Sequence, residues 1–525
     1  MTFLEGAGMT SVIHDEARHA AIGRRAMLLG AAGGILLAGG APARIAAAAN
    51  GLLRVGLVNF PPNIRPLENT GSSQAAVKMM IYRSLLSYDH AGQLRNEMAE
   101  LWEAESPSAY RFRLRPGLRF HDGEPVTAED VRFTLTEILA ENSTAYMKPF
   151  LSVVEKVEVL GPLEGRILLK EPSIPFPHLM ASYHAPILSA KKGQVNGLPA
   201  GTGPFKLAAI ERGSAIEVER FEGFYKPGLP KVARIRFQGY TDENLRVSAL
   251  QAGDVDVIEG VPWQSMAAID SNPRLKMEST VGPFMNLLFN TRTGPFTDAR
   301  ARRAVAYAIK RDEVVRAAHY GRGTPLFGLP YPAPYDDLPS AGIFSYDPVR
   351  ARQLLQEAGV GNGFAATLLA TSSPTLHQST AEVVQQNLKE IGIEVTLRLP
   401  EWGTRVTMGN RGQYDFAVFG TVAAWPDPDA LSVYLSGSNA YTRSHGFSSE
   451  KIDALLQASR QEADPAKRRA IYDELQKQAA EECPIVWLTL RSQAFAMQAG
   501  VQGFRNLPGS LTFYAPVTLE ETSVG

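Results

Sequence analysis

The stretch Tyr110–Val131, YRFRLRPGLRFHDGEPVTAEDV, decides how the first half of the chain folds locally. Its first six residues alternate strictly between large apolar or aromatic side chains and arginines. That alternation is typical of a β-strand with one buried and one solvated face. After a His-Asp-Gly turn, Asp130 stands three residues beyond Thr127, which is the spacing of a capping box. We therefore predict a strand, a tight turn and then a helix that begins directly after Thr127.

Outward from this stretch, short β-rich runs alternate with amphipathic segments over most of the chain. At 525 residues the chain is too long for a single hydrophobic core, so two or three domains are expected. Strands and helices mix without a regular βαβ repeat, which favours α/β lobes over a barrel. The further strands and helices that the apolar spacing predicts are Leu53–Val58, Ile216–Arg220, Ala233–Phe237 and Glu394–Leu399 (strands), and Gln74–Ser87, Asp298–Ile309, Asp347–Ala358, Ala381–Ile391, Ser448–Ala458 and Pro465–Glu482 (helices).

Ala99–Glu103 together with Tyr110–Val131 resembles the signature segment of the family 5 extracellular solute-binding proteins, which include oligopeptide-, dipeptide- and nickel-binding proteins. More blocks that resemble this family follow in the family's order, and the resemblance extends from about residue 52 to about residue 520. These blocks are Gly201–Phe205, Ala249–Asp256, Arg303–Ile309, Tyr346–Pro348, Ala351–Gly359, Ile391–Val395 and Ile452–Leu456. They are strand ends, glycine turns and helix caps, so they identify a fold and mark no ligand contact.

The resemblance implies an α/β, two-lobed periplasmic-binding-protein fold of class II, with an extra subdomain in lobe I and a cleft that closes about a hinge. The ligand would lie in the cleft and favour the closed form by touching both lobes. The implied boundaries are 50–285 for lobe I with its extra subdomain at about 88–195, 286–490 for lobe II, 491–525 for the C-terminal return to lobe I, and Gly282–Asn290 and Leu488–Gln493 for the hinge.

Residues 1–49 have the layout of a signal peptide. A polar stretch ends in Arg24-Arg25, a weakly apolar run follows from Ala26 to Gly39, and small residues suited to cleavage lie at Ala41–Ala43 and Ala46–Ala49. Fourteen apolar residues are too few to cross a bilayer. The paired arginines indicate twin-arginine export, and the alternative is the basic region of an ordinary Sec signal. The mature protein is therefore predicted to be soluble in the periplasm.

The net charge and the cysteine content exclude several kinds of partner and covalent linkage. A net charge of −1 gives no long-range attraction to nucleic acid or to anionic membranes. The lone Cys483 excludes an intramolecular disulfide, and the absence of a cysteine after the apolar run excludes a lipid anchor there. The resemblance implies a small-molecule ligand and an ABC permease/ATPase complex in the inner membrane. We expect a monomer without cofactor or metal.

The resemblance also carries candidate ligand contacts. Trp402 matches a cleft tryptophan of the peptide-binding members, although a core tryptophan would have the same sequence signature. Asn69, Thr70, Gly71 and Ser72 form the loop before the first helix, which lines lobe I in the family, but many surface loops have this composition. Tyr146 matches a cleft tyrosine loosely.

The segment after Asp415 indicates which chemical groups of a ligand this protein can bind. Peptide binders of the family carry Gly-Trp-x-x-Asp, whose aspartate pairs with the α-ammonium of the ligand; here Thr421 replaces the tryptophan and Ala424 the aspartate. An ammonium buried without a counter-charge is costly. Asp427 would substitute if the loop shifted, yet Asp-Pro is more simply a turn or helix start. Trp425 is either an aromatic wall of the site or a packing residue.

The basic residues that help hold the carboxylate of a peptide are replaced by Gly409 and Val418, with Arg405 and Arg411 close in sequence. We therefore predict a ligand less zwitterionic than a peptide, such as a sugar, an aromatic or acylated compound, or a metal chelate. A di- or oligopeptide-binding protein is the alternative within the same importer class. A binding protein that serves sensing or chaperoning is the alternative outside import.

Enzymatic activity is not expected. The chain has no Gly-x-Ser-x-Gly, His-Glu-x-x-His, phosphate-loop or dinucleotide glycine motif. Cys483, beside Pro484 at a predicted helix end, is expected to be buried, and His121 in the His-Asp-Gly turn is expected to form a structural hydrogen bond. His178 and His184 are six residues apart, which is not a diagnostic metal-ligand spacing.

Overall fold

The computed structural model describes residues 51–372, 375–437 and 444–525. The predicted signal peptide, residues 1–49, lies outside this part of the chain. The described residues alternate strands with short helices. In the first half these elements are β1 (Leu52–Leu57), α1 (Ser72–Ile81), β2 (Leu86–Tyr88), β3 (Leu94–Asn96), β4 (Ala99–Ser106), β5 (Ala109–Leu114), α2 (Ala128–Leu139), α3 (Lys148–Leu151), β6 (Val154–Val159), β7 (Glu164–Leu169), α4 (Phe176–Met180), β8 (Gln194–Val195), β9 (Leu198–Pro199), β10 (Phe205–Glu211), β11 (Ala215–Arg220), β12 (Arg234–Gly239), α5 (Glu243–Ala252), β13 (Val257–Glu259) and α6 (Trp263–Asp270).

The second half begins with the longest strand. Its elements are β14 (Leu275–Phe289), a 3₁₀ turn (Pro295–Thr297), α7 (Ala299–Ala308), α8 (Arg311–Glu313), a π-helical turn (Val314–Ala318), β15 (Gly323–Pro325), α9 (Pro348–Glu357), β16 (Phe364–Leu369), α10 (Thr375–Lys389), β17 (Ile393–Arg398), α11 (Trp402–Asn410), β18 (Phe416–Thr421), a 3₁₀ turn (Pro428–Leu431), α12 (Ser432–Leu435), α13 (Glu450–Gln461), α14 (Pro465–Glu482), β19 (Ile485–Gln498), β20 (Val501–Gln502), a 3₁₀ segment (Gly509–Glu521) and β21 (Ser523–Val524).

One mixed sheet runs through both lobes. Its strand order is β10-β11-β12-β1-β13-β19-β14-β18-β16-β17, with β15 paired to β19. The first five strands form the sheet of lobe I and the last three that of lobe II. The antiparallel pair β14 and β19 is shared, because β19 pairs with β13 at its C-terminal end and β14 pairs with β18 at its own. The predicted two-lobed α/β fold is confirmed, while the predicted domain boundaries stay a prediction.

The opening stretch folds as its pattern predicts. β5 covers Ala109–Leu114 with Tyr110, Phe112 and Leu114 buried, and it lies in a separate antiparallel sheet of order β4-β5-β7-β6. Thr127 and Asp130 form the capping box of α2, because the Thr127 amide donates to the Asp130 carboxylate at 2.7 Å. The strand and the helix start therefore follow from local sequence.

A buried cluster of charges ties the C-terminal segment to lobe I. The Arg83 guanidinium pairs with Glu520 and lies 3.2 Å from Glu97, and Lys226 reaches both carboxylates at 2.7 and 2.6 Å. These cationic neighbours outweigh burial and lower the pKa of Glu97 to about 2. Arg95, which is partly exposed, also pairs with Glu97 at 3.5 Å, so both buried carboxylates have cationic partners and neither is an isolated charge.

Two predicted helices have different limits in the structure. The first helix ends at Ile81, because Tyr82 is extended and the apolar residues after it continue as β2 instead. The helix predicted from Ala381 begins at Thr375. Its first turn is polar, so the apolar spacing alone gave no sign of it.

Candidate functional site: the cleft between the lobes

The floor of the cleft is formed by the middle of the two shared strands. Val281 pairs with Ser492 and Phe284 with Leu490, and the register shifts between these pairs. The segments 280–284 and 489–493 lie between the part of β19 that pairs with β13 and the part of β14 that pairs with β18, which begins at Phe284. Along these segments β14 pairs with β19, and β15 pairs with the other edge of β19 at residues 489–491. We call these two segments the hinge ribbon. They overlap the predicted hinge, whose motion stays a prediction.

The walls are formed by the carboxyl ends of parallel strands. In lobe I, β1 runs parallel to β13, and in lobe II β16 runs parallel to β18. All four strands end toward the hinge ribbon. Open α/β sheets bind ligands at the carboxyl ends of their parallel strands. The topology therefore places a ligand site between these strand ends.

The wall of lobe I carries a buried carboxylate. Glu259, the last residue of β13, accepts hydrogen bonds from Ser73 Oγ at 3.2 Å and from the Val58 amide at 3.5 Å. Burial raises the pKa of Glu259, and hydrogen bonds from Ser72 and Ser73 oppose that rise only in part. This group is suited to exchanging hydrogen bonds with hydroxyl or amide groups of a ligand.

The wall of lobe II combines an imidazole, an indole and a guanidinium. His377, in the first turn of α10, packs edge-on against Trp402 with 5.8 Å between ring centroids. The Arg405 guanidinium lies 5.8 Å from the Trp402 ring and donates to the Val418 carbonyl at 2.6 Å. Burial and the charges of Arg405 and Arg491 lower the pKa of His377 to about 3, so this imidazole is neutral at physiological pH.

Contacts across the cleft bring the lobes together. Thr375 Oγ1 donates to Glu243 at 2.6 Å, which links α10 to α5. Gln461 donates to Glu171 at 2.7 Å, and the Tyr514 hydroxyl reaches the Ala424 carbonyl at 3.5 Å. The structure therefore describes a form in which both lobes touch.

The loop before α1 lies at the rim of the lobe I wall. Asn69, Thr70 and Gly71 are exposed, and Ser72 is half-buried as the first residue of α1. Asn69 Oδ1 accepts from the Gly71 amide at 3.1 Å, and Gly71 has a φ of 112°, which favours glycine. Of the four, Ser72 is the residue next to Glu259. Ligand contact by this loop stays a prediction.

Tyr146 lies in lobe I among aromatic side chains. Its ring is half-buried, 4.7 Å from the ring centroid of His184 and 6.1 Å from that of Phe150. Its amide donates to the Leu67 carbonyl at 2.9 Å. The residue therefore helps to order the loop that precedes α1, and its contact with a ligand stays a prediction.

The two candidate tryptophans differ in burial. Trp402 opens α11 and is 43% exposed, whereas Trp425 is 1% exposed and packs edge-on against Phe150 at 5.1 Å. The exposed indole of Trp402 is available to a ligand. The burial of Trp425 supports the packing alternative, and ligand contact by Trp402 stays a prediction.

The segment after β18 offers no carboxylate where a peptide binder has one. Thr421 ends β18 and accepts from the Tyr434 hydroxyl at 3.4 Å, and Ala424 is half-buried. Asp427 receives a two-pronged ion pair from Arg468 at 2.8 and 2.9 Å and caps the following 3₁₀ turn. Asp429 pairs with Arg460 at 2.5 Å. Both acids are therefore occupied by arginines.

We expect Asp427→Asn to destabilise the protein by about 3 kcal/mol, because the buried Arg468 would lose its counter-charge. The control is Asp337→Asn, which removes an exposed aspartate that pairs with Arg469. This control is expected to unfold close to wild type, because exposed ion pairs contribute little. Urea unfolding at neutral pH measures both variants. Equal midpoints for the two would contradict a structural role for Asp427.

Arg405 provides a positive charge near Gly409 and Val418, the two positions at which the sequence lacks the basic residues of peptide binders. A Cβ added to Gly409 would lie 3.6 Å from Arg405 Nη1, and Arg405 Nη2 donates to Val418. One guanidinium therefore lies next to both positions at which peptide binders carry cations. Arg411 is exposed at the end of α11, away from this arrangement.

Three buried polar residues of the cleft were not among the predicted contacts: Glu259, His377 and Arg491. Arg491 lies in the strand sequence IVWLTLRSQAFAMQ, where an arginine interrupts a nearly continuous apolar run. A charged side chain in a strand that is buried on both faces is a usable sequence signal for a functional role. Glu259 and His377 carry no comparable signal.

The remaining candidate reactive residues have structural surroundings. Cys483 is buried, as predicted, and burial raises the pKa of its thiol to about 12. His121 Nε2 lies 3.0 Å from the Gly203 carbonyl, which matches the predicted structural hydrogen bond. His178 lies 3.1 Å from the Tyr88 hydroxyl and His184 lies 3.2 Å from Lys78. In the described ranges no cluster of three metal-ligating side chains occurs.

A family model for bacterial extracellular solute-binding proteins, family 5, matches residues 93–443, well over half of the chain. The chain belongs to this family. A curated family 5 relative, the glutathione-binding protein GsiB of Escherichia coli strain K12, is 27% identical over 461 residues, which cover 84% of this chain and 90% of the relative.

Solved structures of binding proteins match the fold. The periplasmic binding protein AgaA from A. tumefaciens R10, in complex with agropinic acid, has a TM-score of 0.85 and 36% identity, covering 90% of this chain and 99% of AgaA. The dipeptide-binding protein of Pseudoalteromonas sp. SM9913, in complex with Met-Leu, has a TM-score of 0.81, covers 90% of this chain and 100% of its own, and at 21% identity supports the fold alone.

Helices in the described part of this family 5 protein all fall short of the length and apolarity that a membrane span requires. A small cavity within lobe II is lined by Phe327, Leu435 and Trp487 among other core residues and by none of the wall residues. It is a packing feature of lobe II and is not part of the cleft.

Proposed function

We propose that this protein captures a small organic acid without a free α-ammonium group and delivers it to an ABC importer. The observation that carries this proposal is the charge of the lobe II wall. Ala424 replaces the aspartate that would pair with an ammonium, and Asp427 and Asp429 are already paired with arginines. Arg405 supplies a cation at the same wall.

The relatives support an organic acid. AgaA, at 36% identity, is described in complex with agropinic acid, which is an organic acid. The glutathione-binding relative of Escherichia coli strain K12 is 27% identical, and glutathione carries a free α-ammonium beside its carboxylates, so it probes the ammonium argument and does not support it. Burial raises the pKa of Glu259 on the opposite wall, and its carboxyl group already accepts hydrogen bonds from Ser73 Oγ and the Val58 amide, which suits hydroxyl or amide groups of a ligand. A ligand with an acidic end and a neutral polar end would match both walls.

Delivery of the ligand to an importer depends on closure of the two lobes around it. A ligand that contacts both walls stabilises the form in which the lobes touch, and an importer that prefers this form would take up only the loaded protein. The partners we propose are an ABC permease and its ATPases in the inner membrane. Export to the periplasm by the twin-arginine route, with the protein acting as a soluble monomer, completes the proposal.

A thermal-shift panel tests the ligand class. The probes are agropinic acid, glutathione and the dipeptide Met-Leu, each at several concentrations on the mature protein. A ligand at 100 times its Kd stabilises the folded state by about 2.7 kcal/mol, which raises the melting temperature measurably. We expect agropinic acid to give the largest shift and Met-Leu none. A largest shift with Met-Leu would overturn the argument from Ala424.

A further inference from the structure

Arg491 is the one residue of the hinge ribbon that carries a charge. It lies on β19 opposite Gly323 of β15, on the strand edge that pairs with β13 further along at residues 495–497. The other edge of β19 pairs with β14 on both sides of Arg491. It shares a strand face with Thr489 and Gln493. This face is turned toward α10 and the π-helical turn of lobe II, because Thr489 Oγ1 lies 3.4 Å from Nδ1 of His319.

The Arg491 side chain is nearly enclosed and nearly unpartnered. It is 7% exposed, and among the described residues its side chain donates one hydrogen bond, from Nη1 to Gln493 Oε1 at 2.8 Å. Its Nε is buried without a hydrogen-bond partner. Within the described ranges no carboxylate lies within ion-pair distance of this guanidinium, and burial lowers the pKa of Arg491 to about 10.

The groups around Arg491 do not neutralise it. The imidazoles of His319 and His377 both feel its charge, and burial together with that charge lowers the pKa of each to about 3. Both are therefore uncharged at physiological pH. His377 Nδ1 is also buried without a partner, and His377 lies in the first turn of the fifteen-residue helix α10, where the helix dipole is positive.

Two other buried arginines, Arg311 and Arg246, donate several hydrogen bonds to backbone carbonyls, although Arg311 Nη2 and Arg246 Nε are also buried without a partner. Arg311 is as deeply buried, with the pKa again lowered to about 10, but it donates to the carbonyl oxygens of Trp487, Ala306, Ile309 and Phe344. Arg246 donates to the carbonyls of Tyr240 and Gly260. Such bonds make these two arginines structural. Arg491 lacks them, so its burial has no structural explanation in the folded chain.

We propose that Arg491, with the neighbouring first turn of α10, forms the subsite that binds the carboxylate of the ligand at the floor of the cleft. The fork of a guanidinium matches a carboxylate in geometry, and such a charged pair is strong when it is shielded from water. The subsite deepens the proposed function and rests on it, because it assigns the acidic group of the captured solute to a particular residue.

The position of the subsite couples binding to closure. Arg491 belongs to the strand shared by both lobes, Gln493 lies toward Gly260 of lobe I, and His377 belongs to lobe II. A carboxylate at this place is held from the hinge and from lobe II at once. Lobe I reaches the same place through Gly260, which lies against the Gln493 that holds Arg491, so a bound carboxylate favours the form in which the lobes touch.

The test is titration calorimetry with agropinic acid on wild type, Arg491→Gln, Arg491→Lys and Arg311→Gln. We expect Arg491→Gln to weaken binding by about 100-fold, since it removes one partner of a buried charge pair. Arg491→Lys keeps the charge without the fork and should bind with intermediate affinity. Arg311→Gln should keep wild-type affinity while lowering the melting temperature of the unliganded protein.

Unliganded stability separates a binding role from a structural one. Arg491→Gln should melt at or above the wild-type temperature without ligand, because it removes an uncompensated charge. A melting temperature well below wild type would overturn the proposal, because Arg491 would then stabilise the fold. Unchanged affinity for agropinic acid in Arg491→Gln would overturn it as well and would leave the proposed ligand class intact.

If agropinic acid fails to bind the wild type, a second experiment tests the carboxylate subsite at Arg491 independently of the proposed ligand class. Acetate is then compared with chloride at equal ionic strength by thermal shift. Stabilisation by acetate in wild type and in Lys389→Met, but not in Arg491→Gln, would support the carboxylate subsite while the ligand class is abandoned. Equal responses in all three proteins would overturn the subsite.

Discussion

Replacing Lys78 by methionine is expected to stabilise the protein strongly at pH 7 and progressively less as the pH rises toward 10. Lys78 lies on α1 in the core of lobe I with no exposed surface. Burial, opposed in part by the charge of Glu68, lowers the pKa of Lys78 from 10.5 to about 7. A buried ammonium with so low a pKa is a large unfavourable term in the folded state.

The groups around Lys78 explain why it is only partly compensated. Its Nζ donates to the Glu68 carbonyl oxygen at 2.7 Å, lies 3.2 Å from Nδ1 of His184 and is 5.8 Å from the ring centroid of Tyr183. Burial and the charge of Lys78 keep the pKa of His184 well below its usual value, so the imidazole stays neutral. No carboxylate in the described part of the chain forms an ion pair with Lys78.

The sign of the pH dependence follows from proton counting. Between pH 7 and 10.5 the unfolded chain keeps the proton on Lys78 and the folded chain has lost it, so the free energy of unfolding rises with pH. Below pH 7 both states are protonated and the penalty is complete. Three pKa units correspond to about 4 kcal/mol, so the advantage of Lys78→Met should shrink by about 4 kcal/mol between pH 7 and pH 10.

Urea unfolding of wild type and Lys78→Met at pH 7, 8, 9 and 10 measures this change. The methionine loses the hydrogen bond to Glu68, so its absolute advantage is smaller than the electrostatic penalty, whereas the pH trend is unaffected. Lys389→Met, on the exposed end of α10, is the control and should differ from wild type by a constant amount. A constant difference for Lys78→Met as well would contradict the depressed pKa.

The second large effect is expected for Trp425→Ala, which should lower the free energy of unfolding by about 4 kcal/mol. The indole is 1% exposed and packs edge-on against Phe150, so its removal leaves a cavity in addition to losing buried apolar surface. Phe150 lies on α3 of lobe I, and Trp425 follows β18 of lobe II. The contact therefore also contributes to holding the lobes together.

Trp402→Ala is the matched comparison, since it removes the same side chain from a position that is 43% exposed. We expect its urea midpoint to stay close to wild type, because surface substitutions change stability little. Its affinity for agropinic acid should fall about tenfold if the exposed indole contacts the ligand. Equal loss of stability in both variants would contradict the assignment of Trp425 to packing, and unchanged affinity in Trp402→Ala would remove Trp402 from the site.

Strands and helices whose limits are set by residues close in sequence could be predicted from the sequence. The alternation Tyr110–Arg115 gave β5, Thr127 and Asp130 gave the start of α2, and the apolar spacing of Pro465–Glu482 matched α14 residue for residue. The interpretation of Asp427-Pro428 as a turn or helix start is likewise confirmed by the cap that Asp427 provides. In each case the determining interactions lie within a few residues.

The site depended on tertiary structure. The sequence indicated that a basic residue was missing at Gly409 and Val418, but only the folded chain places Arg405 beside both. The sequence could not show which of Trp402 and Trp425 is exposed, because Phe150, which packs against Trp425, comes from the other lobe. Glu259 and His377 lie on opposite walls of the cleft, and their placement depends on long-range packing that local patterns do not encode.

By itself, the sequence determined the family, the two-lobed α/β fold and the loss of the aspartate at Ala424, because these depend on local patterns and on blocks in a fixed order. Tertiary structure decided which charges are already paired. Asp427 and Asp429 are neutralised by arginines from α13 and α14, whereas Arg491 is buried on the hinge ribbon without a carboxylate. Burial and pairing set the energy of a charge, and both are properties of neighbours that only folding brings together.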